Sequence, residues 1–328
     1  MSYPQQLTVE ELAAGIRAGE RAILARAITL IESAHPAHQA KARGLLQTLL
    51  PESGTAYHLG ITGVPGAGKS TMIDRLGISL IDKGHRVAVL AVDPTSQRSG
   101  GSILGDKTRM QRLATHRHGF VRPSPASGTL GGVARKTRET MALVAAAGYD
   151  IVIVETVGVG QSEVAVAGMV DFFLVLQLAG GGDELQGIKK GIIELADMIA
   201  INKADSDNLT RAERAAADYR AALALLMPVS PSWQPPVITI SARDNIGLDQ
   251  LWDNIQAHHT CMRTSGEFSQ RRANQNVRWM HDMLNEHIMA CVYQNENLAA
   301  KLSEAEAQVR AGNLAPSLAV DQIVNAIK

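Results

Sequence analysis

The chain has 328 residues, 45% of them hydrophobic and 4% aromatic, enough for one large α/β core with helical additions. Its 32 Lys and Arg balance its 32 Asp and Glu, so no net field favours nucleic acid or an anionic membrane surface. Two cysteines, Cys261 and Cys291, form no C-x-x-C, and the polar opening MSYPQQ leads to no apolar run of ~20 residues; a reduced, cytoplasmic protein outside the membrane is expected.

Thr8-Val9-Glu10-Glu11 makes a capping box, and Ile23, Leu24, Ile28 and Ile31 then recur at helical spacing up to His35-Pro36. Another helix over 37–50 ends at Pro51 and the Ser53-Gly54 turn, so a helical extension, 1–55, comes first. Alternation follows: a strand at 57–62, a helix at 69–82, Gly84, then a strand at 86–92 ending in Asp93-Pro94. Such β-α-β succession implies a mostly parallel sheet with helices on both faces. The Gly- and Ser-rich 96–105 suits a switch loop better than a core element, and a helix is expected at 107–115.

Helix 133–147 leads to 150–154, a continuous β-branched run of the kind buried on both faces. Strands at 171–178, 197–201 and 237–240 complete the series, with a helix at 210–226 and a Pro-rich loop at 228–236 between the last two. From 249 onward the pattern holds no strand; helices are expected from Leu248, at 271–293, 297–310 and 316–327. Pro316 suits the first position of the last of these, where its missing N–H costs nothing. The chain divides into an N-terminal extension at 1–55, a nucleotide domain at 56–260 and a C-terminal helical extension at 261–328.

Gly63-Val64-Pro65-Gly66-Ala67-Gly68-Lys69-Ser70, with Thr71 beyond it, fits G-x-x-x-x-G-K-[ST] directly after a strand. The glycines let consecutive backbone N–H groups turn inward around nucleotide phosphates, Lys69 can neutralise β/γ oxygens, and the Ser70 hydroxyl can bind Mg²⁺. A Gly-rich turn between strand and helix is the plain structural alternative. Asn202-Lys203-Ala204-Asp205 ends another strand downstream. A carboxylate at its fourth position can accept from guanine N1–H and the exocyclic amine, a donor pair that adenine lacks on that edge; Lys203 can lie over the base and Asn202 can tie the loop to the cradle. Ser241-Ala242-Arg243, after the last strand, supplies backbone N–H groups for guanine O6. Alone, either loop could equally hold Asn, Asp or Ser as helix caps.

Glu155-Thr156-Val157-Gly158 stands where many P-loop GTPases carry D-x-x-G, with Glu in place of Asp. Ala179-Gly180-Gly181-Gly182-Asp183-Glu184 is a second Gly-rich loop, read as movable, leading to Lys189 and Lys190.

Taken together, GVPGAGKST at 63–71, VDPTS at 92–96, GGSILGDKTRM at 100–110, ETVGVGQSE at 155–163, GGGDELQGIK at 180–189 and NKAD at 202–205 closely resemble the MeaB/ArgK family, over nearly the whole chain. The resemblance implies a P-loop GTPase fold of the SIMIBI type. It further implies a homodimeric GTPase that acts as chaperone for adenosylcobalamin-dependent methylmalonyl-CoA mutase, gating cofactor loading and protecting the enzyme. By position it makes Ser70, Asp93, Asp106 and Glu155 the Mg²⁺ candidates, and 179–189 a further switch that senses the partner. Glu155 in place of Asp is that family's own pattern.

Hydrolysis needs an in-line water and positive charge where the γ-phosphate oxygens become more negative. Lys69 and Mg²⁺ supply part of that charge, with Glu155 as the acid of the Mg²⁺ site. No Gln follows directly after Gly158, so slow intrinsic turnover is expected, with Lys189 or Lys190 supplying charge once a partner orders the Gly-rich loop. Two other readings stand beside this one. An ATP-dependent kinase serving lysine, arginine and ornithine transport would leave the guanine motif idle. A metal-insertion GTPase would need a ligand cluster, whereas His116 with His118 and His258 with His259 read as solvated surface, and Cys261 and Cys291 as small core fillers.

Overall fold

The computed structural model describes residues 7–92, 110–123, 130–156, 162–179 and 190–327. Among them seven strands form one sheet in the order β3-β2-β4-β1-β5-β6-β7. These are β1 (Tyr57–Gly63), β2 (Val87–Val92), β3 (Gly119–Arg122), β4 (Ile151–Thr156), β5 (Phe172–Leu178), β6 (Met198–Asn202) and β7 (Val237–Thr239). Every neighbouring pair is parallel. The α/β class read from the alternating pattern is therefore the fold observed.

The strand side chains alternate between two layers because successive residues point to opposite faces. Val152, Val154, Phe173, Val175, Ile199 and Ile201 face one layer, which Leu130–Ala146, Ser162–Ala167 and Leu209–Leu223 cover, and the N-terminal helices α1 (Val9–Arg17), α2 (Arg21–Glu32) and α3 (Pro36–Thr48) pack against Leu130–Ala146. Ile151, Ile153, Phe172, Leu174, Met198 and Ala200 face the other, under Lys69–Asp82 and Leu248–Thr264. Both sides of the central strands are buried, which explains their unbroken apolar runs. Each fully buried Ile or Leu here contributes about 1.5–3 kcal/mol.

The chain splits into two compact units, 1–272 and 273–328. In the second, the later part of helix Glu267–Gln294 stands with Glu296–Arg310 and Pro316–Ile327 around an apolar cavity of about 670 Å³, lined by Val292, Leu302, Ala305, Val309 and Ile323 among others. Asn295 begins the middle helix, its Oδ1 accepting from the N–H groups of Asn297 and Leu298. Among the described residues no helix is long and apolar enough to cross a membrane.

Three local expectations change. The edge strand β3 went unread: its four residues are too short to show a period. His258 is not surface; it is 1% exposed and hydrogen-bonded to the Tyr57 hydroxyl at 3.1 Å. Cys291 is exposed and Cys261 half-buried, so neither fills a core.

Candidate nucleotide site

The phosphate cradle sits where β1 ends and helix Lys69–Asp82 begins. Gly63 leaves the strand with φ +153°, and a Cβ there would lie 2.1 Å from the Leu176 carbonyl oxygen, so only glycine lets β1 run this close to β5. Gly68, the residue before the helix, has φ +87°, and a Cβ on it would meet Asn202 Nδ2 at 2.6 Å. The spacing of the motif is thus set by steric fit to a residue 134 positions further on. Ala67 N–H donates to the Val64 carbonyl at 3.1 Å, closing the turn over Pro65 and Gly66. The helix that follows points its first-turn N–H groups and positive dipole end into the loop, which suits an anion.

Lys69 Nζ donates to the carbonyls of Gly63 at 2.8 Å and Val64 at 3.4 Å, which holds the ammonium across the loop. Ser70 Oγ donates to Glu155 Oε1 at 3.1 Å. Glu155 is 3% exposed at the end of β4, where Thr156 Oγ1 donates to Thr62 Oγ1 at 2.8 Å and locks β4 to β1. A hydroxyl and a carboxylate so placed are hard oxygen donors of the kind Mg²⁺ takes. Thr71 is exposed on the first turn of the helix.

The two loops read as guanine-binding meet on the same side of the sheet. Asn202 makes the junction: its Nδ2 donates to the Ala67 carbonyl at 2.7 Å and its Oδ1 accepts the Ala242 N–H at 3.0 Å, so one side chain joins cradle, N-K-x-D loop and Ser-Ala-Arg loop. It is 2% exposed, and an amide satisfied on both ends is the low-energy way to bury one there. Lys203 adopts φ +61°, a left-handed turn that brings Asp205 round, and Ala204 N–H donates to the Ile240 carbonyl at 3.0 Å. Ser241 Oγ donates to Asp205 Oδ2 at 2.8 Å and accepts the Asp244 N–H at 3.2 Å. Arg243 reaches Asp205 Oδ1 at 3.2 Å and forks onto Asp244 at 2.9 and 3.0 Å. That fork holds the Asp244 carboxyl below the usual range.

The structure therefore brings Lys69, Ser70 and Glu155 together, and separately groups Asn202, Lys203, Asp205, Ser241, Ala242 and Arg243, with Asn202 bonded across to the cradle. Asp93, Asp106 and Lys189 lie outside the described residues, as does the Gly-rich 180–189 loop. One neighbour escaped the sequence reading. Asp74, 9% exposed on the cradle helix, accepts the Leu113 N–H at 3.0 Å and so anchors the segment that follows residues 93–109. An acid on the inner face of an amphipathic helix was the available signal.

Comparison with known proteins places this geometry. The family described as methylmalonyl-CoA mutase-associated GTPase MeaB matches residues 24–297. A probable GTPase of Mycobacterium tuberculosis strain H37Rv is 54% identical over 317 residues, 97% of this chain and 94% of that protein. The mouse protein named methylmalonic aciduria type A homolog, mitochondrial, is 44% identical over 338 residues, covering all of this chain and 81% of its own. A crystal structure titled LAO/AO transport system kinase superposes with a TM-score of 0.80 at 40% identity, over 99% of each chain. With a family match over most of the chain and a relative 54% identical along nearly its whole length, the chain belongs to the family of MeaB GTPases.

Proposed function

We propose that this chain is a GTP-switched chaperone of an adenosylcobalamin-dependent methylmalonyl-CoA mutase, gating cofactor loading and protecting the enzyme. The observation that carries the reading is the family match over 24–297, whose description names the mutase. GTP and GDP would sit with their phosphates in 63–71 and their base against Asp205, Lys203 and 241–243. Mg²⁺ would be held by Ser70 and Glu155, with Asp93 and Asp106 as further ligands, and would supply charge to the β/γ oxygens. Lys69 holds positive charge at the cradle; Glu155 holds Ser70 in place. The bond from Asn202 to Ala67 ties the base-reading loops to the phosphate loop, so base and phosphates are read as one ligand. Lys189 would add charge when the mutase orders the 179–189 loop, on the order of 10³-fold in rate for one well-placed cation.

The division into 1–55, 56–260 and 261–328 gives the last segment the task of dimerisation. Val277, Met280, Leu284 and Ile288 recur at helical spacing and are each about half exposed, an apolar stripe of the kind a second copy covers. Leu284→Asp with Ile288→Asp should convert a dimer into a monomer in sedimentation; an unchanged sedimentation coefficient would refute that interface.

The decisive test is GTP against ATP hydrolysis by the purified protein, with and without the mutase of the same cell. A slow, GTP-selective rate that rises on adding the mutase is the expected result. A rate indifferent to the mutase would overturn the partner, and equal use of ATP would overturn the guanine reading.

A further inference from the structure

At the opposite end of the sheet from the cradle, where β1 and β4 begin, lies a cavity of about 470 Å³ that the nucleotide chemistry does not use. Its wall is aromatic. The Tyr57 and His259 rings lie 4.4 Å apart, Phe268 stands edge-on to His259 at 5.3 Å, and Trp252 closes another side, edge-on to His85 at 5.5 Å. Volume and lining match small-molecule sites, which run about 300–1,000 Å³ with apolar walls and few polar groups.

The walls are fixed from behind. Tyr57 is 7% exposed, with its hydroxyl bonded to buried His258. The Arg272 guanidinium lies 4.4 Å from the Phe268 ring centre while its nitrogens pair with Asp171 at 2.6 and 2.7 Å. A site that needs no rearrangement keeps the entropy it would otherwise lose on binding.

Charge then selects the ligand. The acid in the lining, Asp150, is already satisfied: Oδ2 sits 2.6 Å from His85 Nδ1 and Oδ1 accepts the Arg86 N–H at 2.6 Å. Burial, then the nearby Arg263 charge, pull the His259 pKa down, which keeps that ring neutral near pH 7. Arg263 lines the cavity, and no carboxylate pairs with it among the described residues. The uncompensated charge facing the space is therefore a guanidinium, whose planar fork matches a carboxylate bidentately.

We propose that this cavity is a second ligand site, which takes a small planar aromatic carboxylate with its ring against Tyr57, Phe268 and Trp252 and its anion on Arg263. Because β1 and β4 carry the phosphate loop and Glu155 at their far ends, such a ligand would bind on the same two strands as the nucleotide without touching it.

The probe is 2-naphthoate, titrated calorimetrically into the full-length protein with tryptophan emission followed in parallel. The expected result is saturable one-to-one binding with quenching. Arg263→Gln, at an exposed position where folding is unaffected, should weaken it at least about tenfold and leave GTP affinity unchanged. Uncharged 2-naphthylmethanol should bind at least about tenfold more weakly than the carboxylate. Absence of saturable binding, binding unmoved by Arg263→Gln, or equal binding of the alcohol would each overturn the proposal. Loss of naphthoate binding in Lys69→Ala would place the probe in the nucleotide site and overturn it equally.

Discussion

The two ends of the sheet both present acids at strand termini, and they use them differently. At the cradle end, Glu155 and Asp205 are held by hydroxyls, Ser70 and Ser241, with the exposed Arg243 alongside Asp205. Such partners can move aside for a ligand. At the other end, Asp171 and Asp197 are each 1% exposed at the side chain and sealed by arginines: Arg271 forks onto Asp197 at 3.0 and 3.1 Å, Arg272 onto Asp171. Each acid also accepts a backbone N–H from the adjoining strands, Asp171 from His58 and Asp197 from Phe173, both at 2.8 Å. A carboxylate whose bonds are filled by buried, fixed charges is structural; one met by hydroxyls or an exposed, shared arginine is available for binding.

The sharpest way to break the comparison is to remove one cation at each end. Lys69→Ala should lower GTP turnover by about 10³-fold or more, since the charge proposed to meet the transferring phosphoryl group is lost, while urea stability stays close to that of the parent. Phosphate release and urea unfolding measured on the same sample check both halves. Arg271→Ala should do the reverse. It leaves Asp197 buried without its cation, at a cost of about 3–5 kcal/mol. The urea midpoint should fall, and Arg271→Met with Asp197→Asn should recover much of the loss, because the amide can still accept from Phe173 N–H.

Between these extremes stands the base. Asp205→Asn replaces one acceptor oxygen by a donor and removes the charge. At about 1.5–3 kcal/mol for a hydrogen bond to a charged group, GTP affinity should fall by about 10–100-fold. ATP affinity should hardly change, so the ratio of the two dissociation constants is the quantity to measure. An unchanged ratio would remove Asp205 from the guanine site.

That the loops of the cradle end belong together was legible because G-x-x-x-x-G-K-S and N-K-A-D are contiguous and each carry their own spacing. The closed end was not. Asp171 and Asp197 read simply as the first residues of apolar strands, and their arginine partners stand 101 and 74 positions further along the chain. Nothing in local spacing distinguishes Arg271 and Arg272 from other charged residues at the start of a long helix. His258 was misplaced for the same reason: adjacent to His259 on a helix, it points elsewhere, into Phe172 and Trp233. Asn202 was read correctly as the tie to the cradle because that role belongs to the motif. That it also holds the Ala242 N–H needed the structure.

Acid should loosen the closed end in two separate stages, and the order of the stages follows from the signs. Burial drives the His58 pKa down from 6.5 to about 4, despite Asp171 beside it, so between those values the unfolded chain binds a proton the folded one does not. Stability must then fall as pH drops from 6.5 to 4, by at most ~1.4 kcal/mol per pH unit for one group. Burial works to raise the pKa of Asp171 and Asp197, but the hydrogen bonds and charges of Arg272 and Arg271, with His58 and His258, hold both below 3.8. Their contribution is present above 3.8 and is lost only as pH falls through their folded values. Urea midpoints at pH 7, 5.5 and 4 should decline steadily, and His58→Asn should flatten that decline while leaving the loss below pH 3.8 in place.

The smallest effect is expected where the two kinds of acid come nearest to each other in design, at Arg243. Like Arg271 it meets a carboxylate, Asp205 at 3.2 Å, but its side chain is 67% exposed and shared with Asp244. Exposed pairs of this kind contribute about 0–1 kcal/mol, so Arg243→Ala should leave the urea midpoint almost unmoved. Its influence on nucleotide should be equally slight, a few-fold in GDP affinity, because Ser241 still orients Asp205 and Asn202 still holds the Ala242 N–H. Stopped-flow binding of a fluorescent GDP to parent and variant measures it directly. A loss of a hundredfold or more would show that Arg243 is a structural clamp like Arg271, and the division between exchangeable and sealed carboxylates would no longer follow the two ends of the sheet.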